Sequence, residues 1–204
     1  MAVRSEGVFL NCPFDTADDS LFRALVFAVH DAGFVARCAL EVTDASENRL
    51  AKIVRIISDC RYGIHDISRT EPGAYGLPRF NMPLELGVFL GAKVFGGYPH
   101  AGKVCLIMDR LPYRYQRFIS DIAGQDVVAH KGRPTLVIRE VRDWLRTTSR
   151  RSAIPSGAAI ARRFDRFHRQ LPEICREASL DIEHLPFVDY THVVLEWLRE
   201  NAPD

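Results

Sequence analysis

The sequence has no long apolar run and few cysteines, and each absence excludes a class of protein. No apolar run approaches the ~18 residues that a membrane span needs, and the opening MAVRSEG lacks the apolar core of a signal peptide. The five cysteines are an odd number, and no two are spaced as a CxxC pair. A disulfide framework and a zinc site are therefore not expected, and we predict a cytoplasmic protein with buried free thiols and no metal.

An excess of charge of one sign is missing as well. The 27 basic and 26 acidic residues give a formal net charge of +1, so no global field attracts the chain to nucleic acid or to a membrane surface. Residues 150–169 are rich in arginine, but the phenylalanines among them favour a packed helix with a solvated arginine face over nucleic-acid binding. With 47% hydrophobic and 26% charged residues, the 204 residues fit one globular domain, or one domain with an appendage.

What the sequence does contain is a regular alternation of strand and helix patterns. Short apolar runs typical of buried strands lie at residues 7–14, 34–40, 61–68 and 103–109. Helical patterns, with apolar residues three and four apart, separate them at 17–33, at 46–60 and from about residue 81. This alternation predicts an α/β fold with a flavodoxin-like parallel sheet flanked by helices on both faces.

The pattern weakens after residue 109, and helices dominate the rest of the chain. Residues 113–124 are interpreted as a short helix, 126–130 as a short fifth strand and 135–149 as a helix. Two further amphipathic helices are predicted at 157–179 and 187–201. We therefore predict an α/β domain at residues 1–149 and a C-terminal helical extension at 150–204, which packs on the sheet or serves self-association.

Polar residues stand where the first and third predicted strands end. In a flavodoxin-like sheet, ligands bind beyond the carboxyl ends of these two strands, where the strand order reverses. The helix that follows the third strand begins at the same edge. The candidate site residues are therefore Asn11, Pro13, Phe14, Asp15, Asp66, Ser68, Asn81 and Glu85.

Glu85 is the one charged residue in an otherwise apolar or glycine run between residues 83 and 92. One interpretation is that Glu85, in the expected first turn of its helix, complements the helix dipole. However, Met82 and Phe89 share its face, and the side that carries Leu84 is apolar too, so we expect a well-buried helix. A buried carboxylate is costly without donors or a ligand, which favours a functional role for Glu85.

The same stretches resemble two known families. VFLNCPF resembles the first strand of nucleoside 2-deoxyribosyltransferases. IVRIISDCRYGIHDIS, the Gly- and Pro-rich loop after it, and NMPLELGVFLGAK are similar both to those enzymes and to TIR domains. The resemblance spans residues 7–93 and implies a flavodoxin-like fold with an active-site glutamate at Glu85. Ser68 matches the end of a TIR strand, and Asp66 matches the deoxyribosyltransferase aspartate.

The chemistry implied by this resemblance is cleavage of an N-glycosidic bond at ribose C1′ through an oxocarbenium-like state. Glu85 would stabilise that charge or attack covalently, and Asp66 would hold a ribose hydroxyl or assist a proton. Asn11 and Ser68 would bind sugar or phosphate. Capping of the next turn by Asp66 and Ser68, and a purely local role for Asn11, are the structural alternatives.

The TIR-like arrangement favours hydrolysis of NAD, which would be a substrate, with no separate cofactor. The resemblance further implies a homo-oligomer that acts in bacterial antiviral defence. Other functions fit the same residues: a deoxyribosyltransferase-like enzyme, a sensor that binds a signalling nucleotide without cleaving it, and a TIR-like interaction module.

Overall fold

Five parallel strands form the sheet at the centre of the fold. A computed structural model describes residues 4–14, 19–69 and 79–202. The strands are β1 (Arg4–Asn11), β2 (Val35–Arg37), β3 (Cys60–Asp66), β4 (Val104–Asp109) and β5 (Val127–Ala129). Their order is β2-β1-β3-β4-β5, and every neighbouring pair is parallel. The predicted flavodoxin-like α/β fold is confirmed.

Helices cover both faces of the sheet. They are α1 (Asp19–Asp31), α2 (Arg49–Asp59), α3 (Asn81–Phe95), the short α4 (Tyr98–Ala101), α5 (Pro134–Ser149), α6 (Gly157–Glu177) and α7 (Phe187–Glu200). Side chains of α1, α5, α6 and α7 share the core on one face, and those of α2 and α3 pack on the other. Within the described ranges, none of these helices combines the length and apolar character needed to cross a lipid bilayer.

The register of the central strands fixes where side chains of the site point. Asn11 at the end of β1 is level with His65 of β3, and Asp66 is level with Met108 of β4. The strand order reverses between β1 and β3, which opens a crevice at their carboxyl ends. Gly63, in the middle of β3, lets α3 approach the sheet closely, because a Cβ atom there would lie 2.7 Å from the ring of Phe89.

The C-terminal helices complete the core around α1. The ring of Phe27 on α1 lies 5.5 Å from that of Phe164, 5.3 Å from that of Phe167 and 5.9 Å from that of Trp197. All four side chains are buried. Residues of α6 and α7 thus cover an apolar surface of α1 that solvent would otherwise reach.

Three predicted elements differ from the structure. The first strand, predicted at residues 7–14, spans Arg4–Asn11. Residues 113–124 form two short 3₁₀ segments, Arg114–Arg117 and Ser120–Ile122, where one helix was predicted. Tyr113 has a φ of 58°, a left-handed conformation that prevents an α-helix from starting there, and the Arg114 side chain is bound to Asp109. The second strand ends at Arg37, earlier than predicted, because Ala39–Glu41 forms a 3₁₀ turn.

Candidate functional site

A cavity of about 410 Å³ lies at the carboxyl edge of the sheet, between the end of β1 and the start of α3. This volume is within the range of small-molecule sites, roughly 300–1,000 Å³. Its walls come from the segment after β1, from the first turns of α3 and from the start of α2. The described residues that line it are Asn11, Cys12, Pro13, Phe14, Arg49, Arg79, Phe80, Asn81, Met82 and Glu85. We call this the Glu85 cavity.

Glu85 is buried at the wall of this cavity. Its side chain is 8% exposed, between Met82 and Phe89 on the inner face of α3. Among the described residues, no hydrogen bond or salt bridge satisfies its carboxylate. Because α3 begins at Asn81, Glu85 is in the second turn and not the first, where the helix dipole acts most strongly. Complementing the dipole is therefore a weak explanation for this carboxylate.

The electrostatic environment of Glu85 favours its neutral form in the absence of a ligand. Burial raises the pKa of the Glu85 carboxyl from its ordinary 4.5 to about 7, and the positive charge of Arg49 partly opposes this rise. Near neutral pH the carboxyl is therefore poised between its two protonation states. A ligand that carries or develops positive charge in the cavity would shift it to the carboxylate.

The predicted burial of α3 on all sides is wrong. Its inner face is buried, but Leu84 is 55% exposed and Phe95 is 88% exposed. The reason is that α3 flanks the sheet as a surface helix, and only the side that faces the sheet meets the core. Glu85 lies on the buried side of α3, so its predicted burial is confirmed.

Asn11 links β1 by hydrogen bonds to β3 and to the first turn of α3. Its Nδ2 donates to the carbonyl oxygen of Met82 at 2.7 Å and to Nδ1 of His65 at 3.0 Å. Burial lowers the pKa of His65 to about 3, so the ring is neutral and its Nδ1 accepts. Among the described residues, nothing donates to the Asn11 carbonyl oxygen, which is the group that Asn11 can offer to a ligand.

The segment after β1 forms the apolar part of the wall. Pro13 is buried, and Phe14 is half-buried with its ring edge-on to Phe22 at 5.1 Å. Asn81 at the start of α3 is exposed and lines the cavity mouth. Asp15, the remaining candidate from this segment, lies outside the described residues.

Two arginines line the Glu85 cavity. Arg79 precedes α3, and Arg49 is the first residue of α2, whose N-cap Asn48 accepts hydrogen bonds from the N–H groups of Leu50 and Ala51. No sequence pattern singles out Arg49, because its position at the cavity depends on how α2 packs beside α3. Arg37 is bound to Glu41 at 2.6 Å and is not among the residues that line the cavity.

Asp66 and Ser68 do not line the Glu85 cavity, contrary to expectation. Successive side chains of a strand point to opposite faces. His65 points towards α3, where its ring meets Phe89, and Asp66 points towards α1 and α5. The Oδ1 atom of Asp66 accepts a hydrogen bond from the N–H of Ser68 at 2.9 Å. Asp66 therefore caps the turn after β3, which was the structural alternative to a role in the site. The structure therefore brings Glu85 together with Asn11, Pro13, Phe14 and Asn81 but separates it from Asp66 and Ser68.

Neither a metal-ligand arrangement nor a comparison with known proteins assigns a function to this site. Within residues 4–14, 19–69 and 79–202, no group of three His, Cys, Asp or Glu side chains is arranged to hold a metal ion. Comparisons of the chain with protein-family models, with curated proteins and with solved structures found no match.

Proposed function

We propose that this protein hydrolyses the N-glycosidic bond of a nucleotide, and that the nucleotide is NAD. The observation that carries the proposal is the buried Glu85 carboxylate, which faces a cavity of ligand size and has no partner among the described residues. Such a group destabilises the free protein. The presence of a buried, unpaired carboxylate is explained if a cationic species occupies the cavity during function.

The reaction needs the charge that Glu85 supplies. The bond between C1′ and the nicotinamide nitrogen breaks, and its electron pair moves to that nitrogen. Positive charge then develops on the ribose as an oxocarbenium-like species; the oxygen of a water molecule bonds to C1′, and one proton of that water leaves to solvent. The Glu85 carboxylate stabilises this charge across a short distance in a partly desolvated site, where electrostatic interactions are stronger than in water.

The charge of the leaving group favours NAD over a neutral nucleoside. The pyridinium nitrogen of NAD is already positively charged, so nicotinamide departs neutral without receiving a proton. A neutral nucleobase generally needs a general acid to leave. Glu85 is the one carboxyl group among the described residues that line the cavity, and Asp66 is on the other face of the sheet. Cleavage of NAD needs only the one carboxylate that Glu85 supplies.

The other walls of the cavity suit the remaining parts of a dinucleotide. Arg49 and Arg79 supply guanidinium groups for the diphosphate. The carbonyl oxygen of Asn11 accepts a ribose hydroxyl, and the half-buried ring of Phe14 offers an aromatic surface to a base.

The proposal is tested by measuring nicotinamide release from NAD with purified protein over a series of protein concentrations. Glu85→Gln keeps the shape of the side chain and removes its charge, and Glu200→Gln, at an exposed site on α7, is the matched control. We expect release to fall by at least ~10²–10³-fold in Glu85→Gln and to be unchanged in Glu200→Gln.

Two results would reject the proposal. One is equal release by wild type and Glu85→Gln. The other is no release at any protein concentration together with saturable NAD binding, which would identify a nucleotide sensor. Transfer of deoxyribose between added nucleobases, with NAD untouched, would identify a deoxyribosyltransferase-like enzyme instead.

A further inference from the structure

The outward side of α3 is apolar along the length of the helix. The residues that share this side are three or four positions apart in sequence. They are Leu84, Gly87, Gly91, Val94 and Phe95. We call the surface that they form the α3 outer face. Glu85 is buried on the inner side, and Lys93 is nearly half a turn away, so neither charged residue of α3 lies on this face.

Large apolar side chains on this face and at its two ends are exposed to solvent. Val94 is 69% exposed and Phe95 is 88% exposed. Phe80, directly before α3, is 61% exposed, and Tyr98 at the start of α4 is 96% exposed. An aromatic side chain offers about 150–250 Å², so these three rings present roughly 400–600 Å² of apolar surface. Apolar surface of this extent on a folded chain marks an interaction site.

Gly87 and Gly91 leave a shallow groove in the middle of the face. Apart from the local helix backbone, no described heavy atom lies within 4 Å of where a Cβ atom would stand at either position. Neither glycine has a positive φ, so the backbone conformation does not require glycine. Glycine disfavours a helix interior relative to alanine. These two residues therefore weaken α3 without serving its packing, which is explained if the backbone of a partner approaches there.

We propose that a second copy of this chain binds the α3 outer face, with the two α3 helices crossing at Gly87 and Gly91. In a two-fold dimer the same face is used by both copies. The groove of one helix then meets the groove of the other, and the bulky side chains at each end, such as Leu84 and Phe95, pack beside the partner helix.

The charge and the area of the face both fit a second copy. A charged partner would lose hydration here without finding an opposite charge, whereas the same uncharged face on another copy has no such cost. The formal net charge of +1 keeps long-range repulsion between copies small. A standard interface buries about 800 Å² per partner, and the three exposed rings supply roughly half of that or more before Leu84 and Val94 are added. This interface stands independently of the chemistry proposed for Glu85.

The test is sedimentation equilibrium of the full chain from about 1 to 300 µM protein, since interfaces of standard area differ widely in affinity. Phe95→Glu places a charge on the α3 outer face, and Leu195→Glu, at an exposed site on α7, is the matched control. We expect a dimer for wild type and for Leu195→Glu. The dissociation constant should be at least ~30-fold larger in Phe95→Glu, as for the loss of a central aromatic contact.

Gly87→Gln is a second variant that tests the crossing point. Glutamine is a good helix former, and its side chain enters open space in the single chain, so the far-ultraviolet circular dichroism spectrum should remain that of wild type. In the dimer the same side chain holds the two helices apart. We expect association to be at least ~10-fold weaker than in wild type.

Four results would overturn the proposal. The first is a wild-type protein that stays monomeric at every concentration, and the second is equal weakening by Phe95→Glu and Leu195→Glu. The third is a dimer that Gly87→Gln leaves unchanged. The fourth is a mass that keeps growing with concentration, which indicates a head-to-tail contact. A monomer that cosediments with phosphatidylcholine vesicles, and loses this binding in Phe95→Glu, would assign the face to a lipid surface instead.

Discussion

The raised pKa of Glu85 predicts that the protein loses stability as the pH rises from about 4.5 to about 7. In the unfolded chain this carboxyl titrates near its ordinary 4.5, whereas burial in the native state raises its pKa to about 7. Between these values the folded state keeps a proton that the unfolded state has lost. Raising the pH through this window therefore lowers the free energy of unfolding, and above it the loss is complete.

The magnitude follows from the size of the pKa change. One pKa unit corresponds to ~1.36 kcal/mol, so a rise from 4.5 to about 7 sets an upper limit of ~3 kcal/mol. The Glu85 cavity is open at its mouth, and solvent there screens the charge. We therefore expect about 2 kcal/mol.

The assay is urea unfolding of wild type and Glu85→Gln at pH 5 and pH 8. Other groups titrate in this range, such as Asp31, whose pKa burial raises to about 6. Because both proteins contain these groups, the difference between their free energies of unfolding isolates Glu85. That difference should shift by about 2 kcal/mol in favour of Glu85→Gln on going from pH 5 to pH 8.

A difference that is the same at both pH values would refute the reasoning. It would mean that the Glu85 carboxylate is as well solvated in the native state as in the unfolded chain. Glu200→Gln is the control for loss of a surface charge, and it should show no such shift.

Two more predictions follow from the Glu85 cavity. The reaction needs Glu85 ionised, so kcat/KM for nicotinamide release should rise with pH and level off above about 7; a midpoint near 4.5 would contradict the burial of this group. Asn11→Ala leaves the Met82 carbonyl oxygen and His65 Nδ1 without their donor, which should cost about 2–4 kcal/mol in urea unfolding. Asn81→Ala, at the exposed cavity mouth, should stay within about 0.5 kcal/mol, and equal losses in the two variants would refute the role of Asn11.

The sequence was most informative where a local pattern and a fold rule agree. The strand and helix alternation of the first 109 residues is confirmed because buried parallel strands are short apolar runs and surface helices have amphipathic periods. Glu85 was identified because one carboxylate interrupts an apolar helix at the edge where the strand order reverses. Both signals are local.

Strand register and helix packing could not be predicted from the sequence. Asp66 was grouped with Glu85 because β3 ends at Asp66 and the next helix begins at the same edge of the sheet, but the face that Asp66 occupies depends on the pairing of Asn11 with His65. Arg49 was missed because its approach to the cavity depends on the packing of α2 against α3.

The packing of α6 and α7 on Phe27 has a consequence for folding on the ribosome. At ~5–20 residues per second, the chain from residue 150 to residue 202 takes on the order of 3–10 s to synthesise. Throughout that time α1 has been made, but Phe164, Phe167 and Trp197, which cover its ring, are not all available. The nascent chain therefore exposes this aromatic surface until α7 has emerged and packed on it.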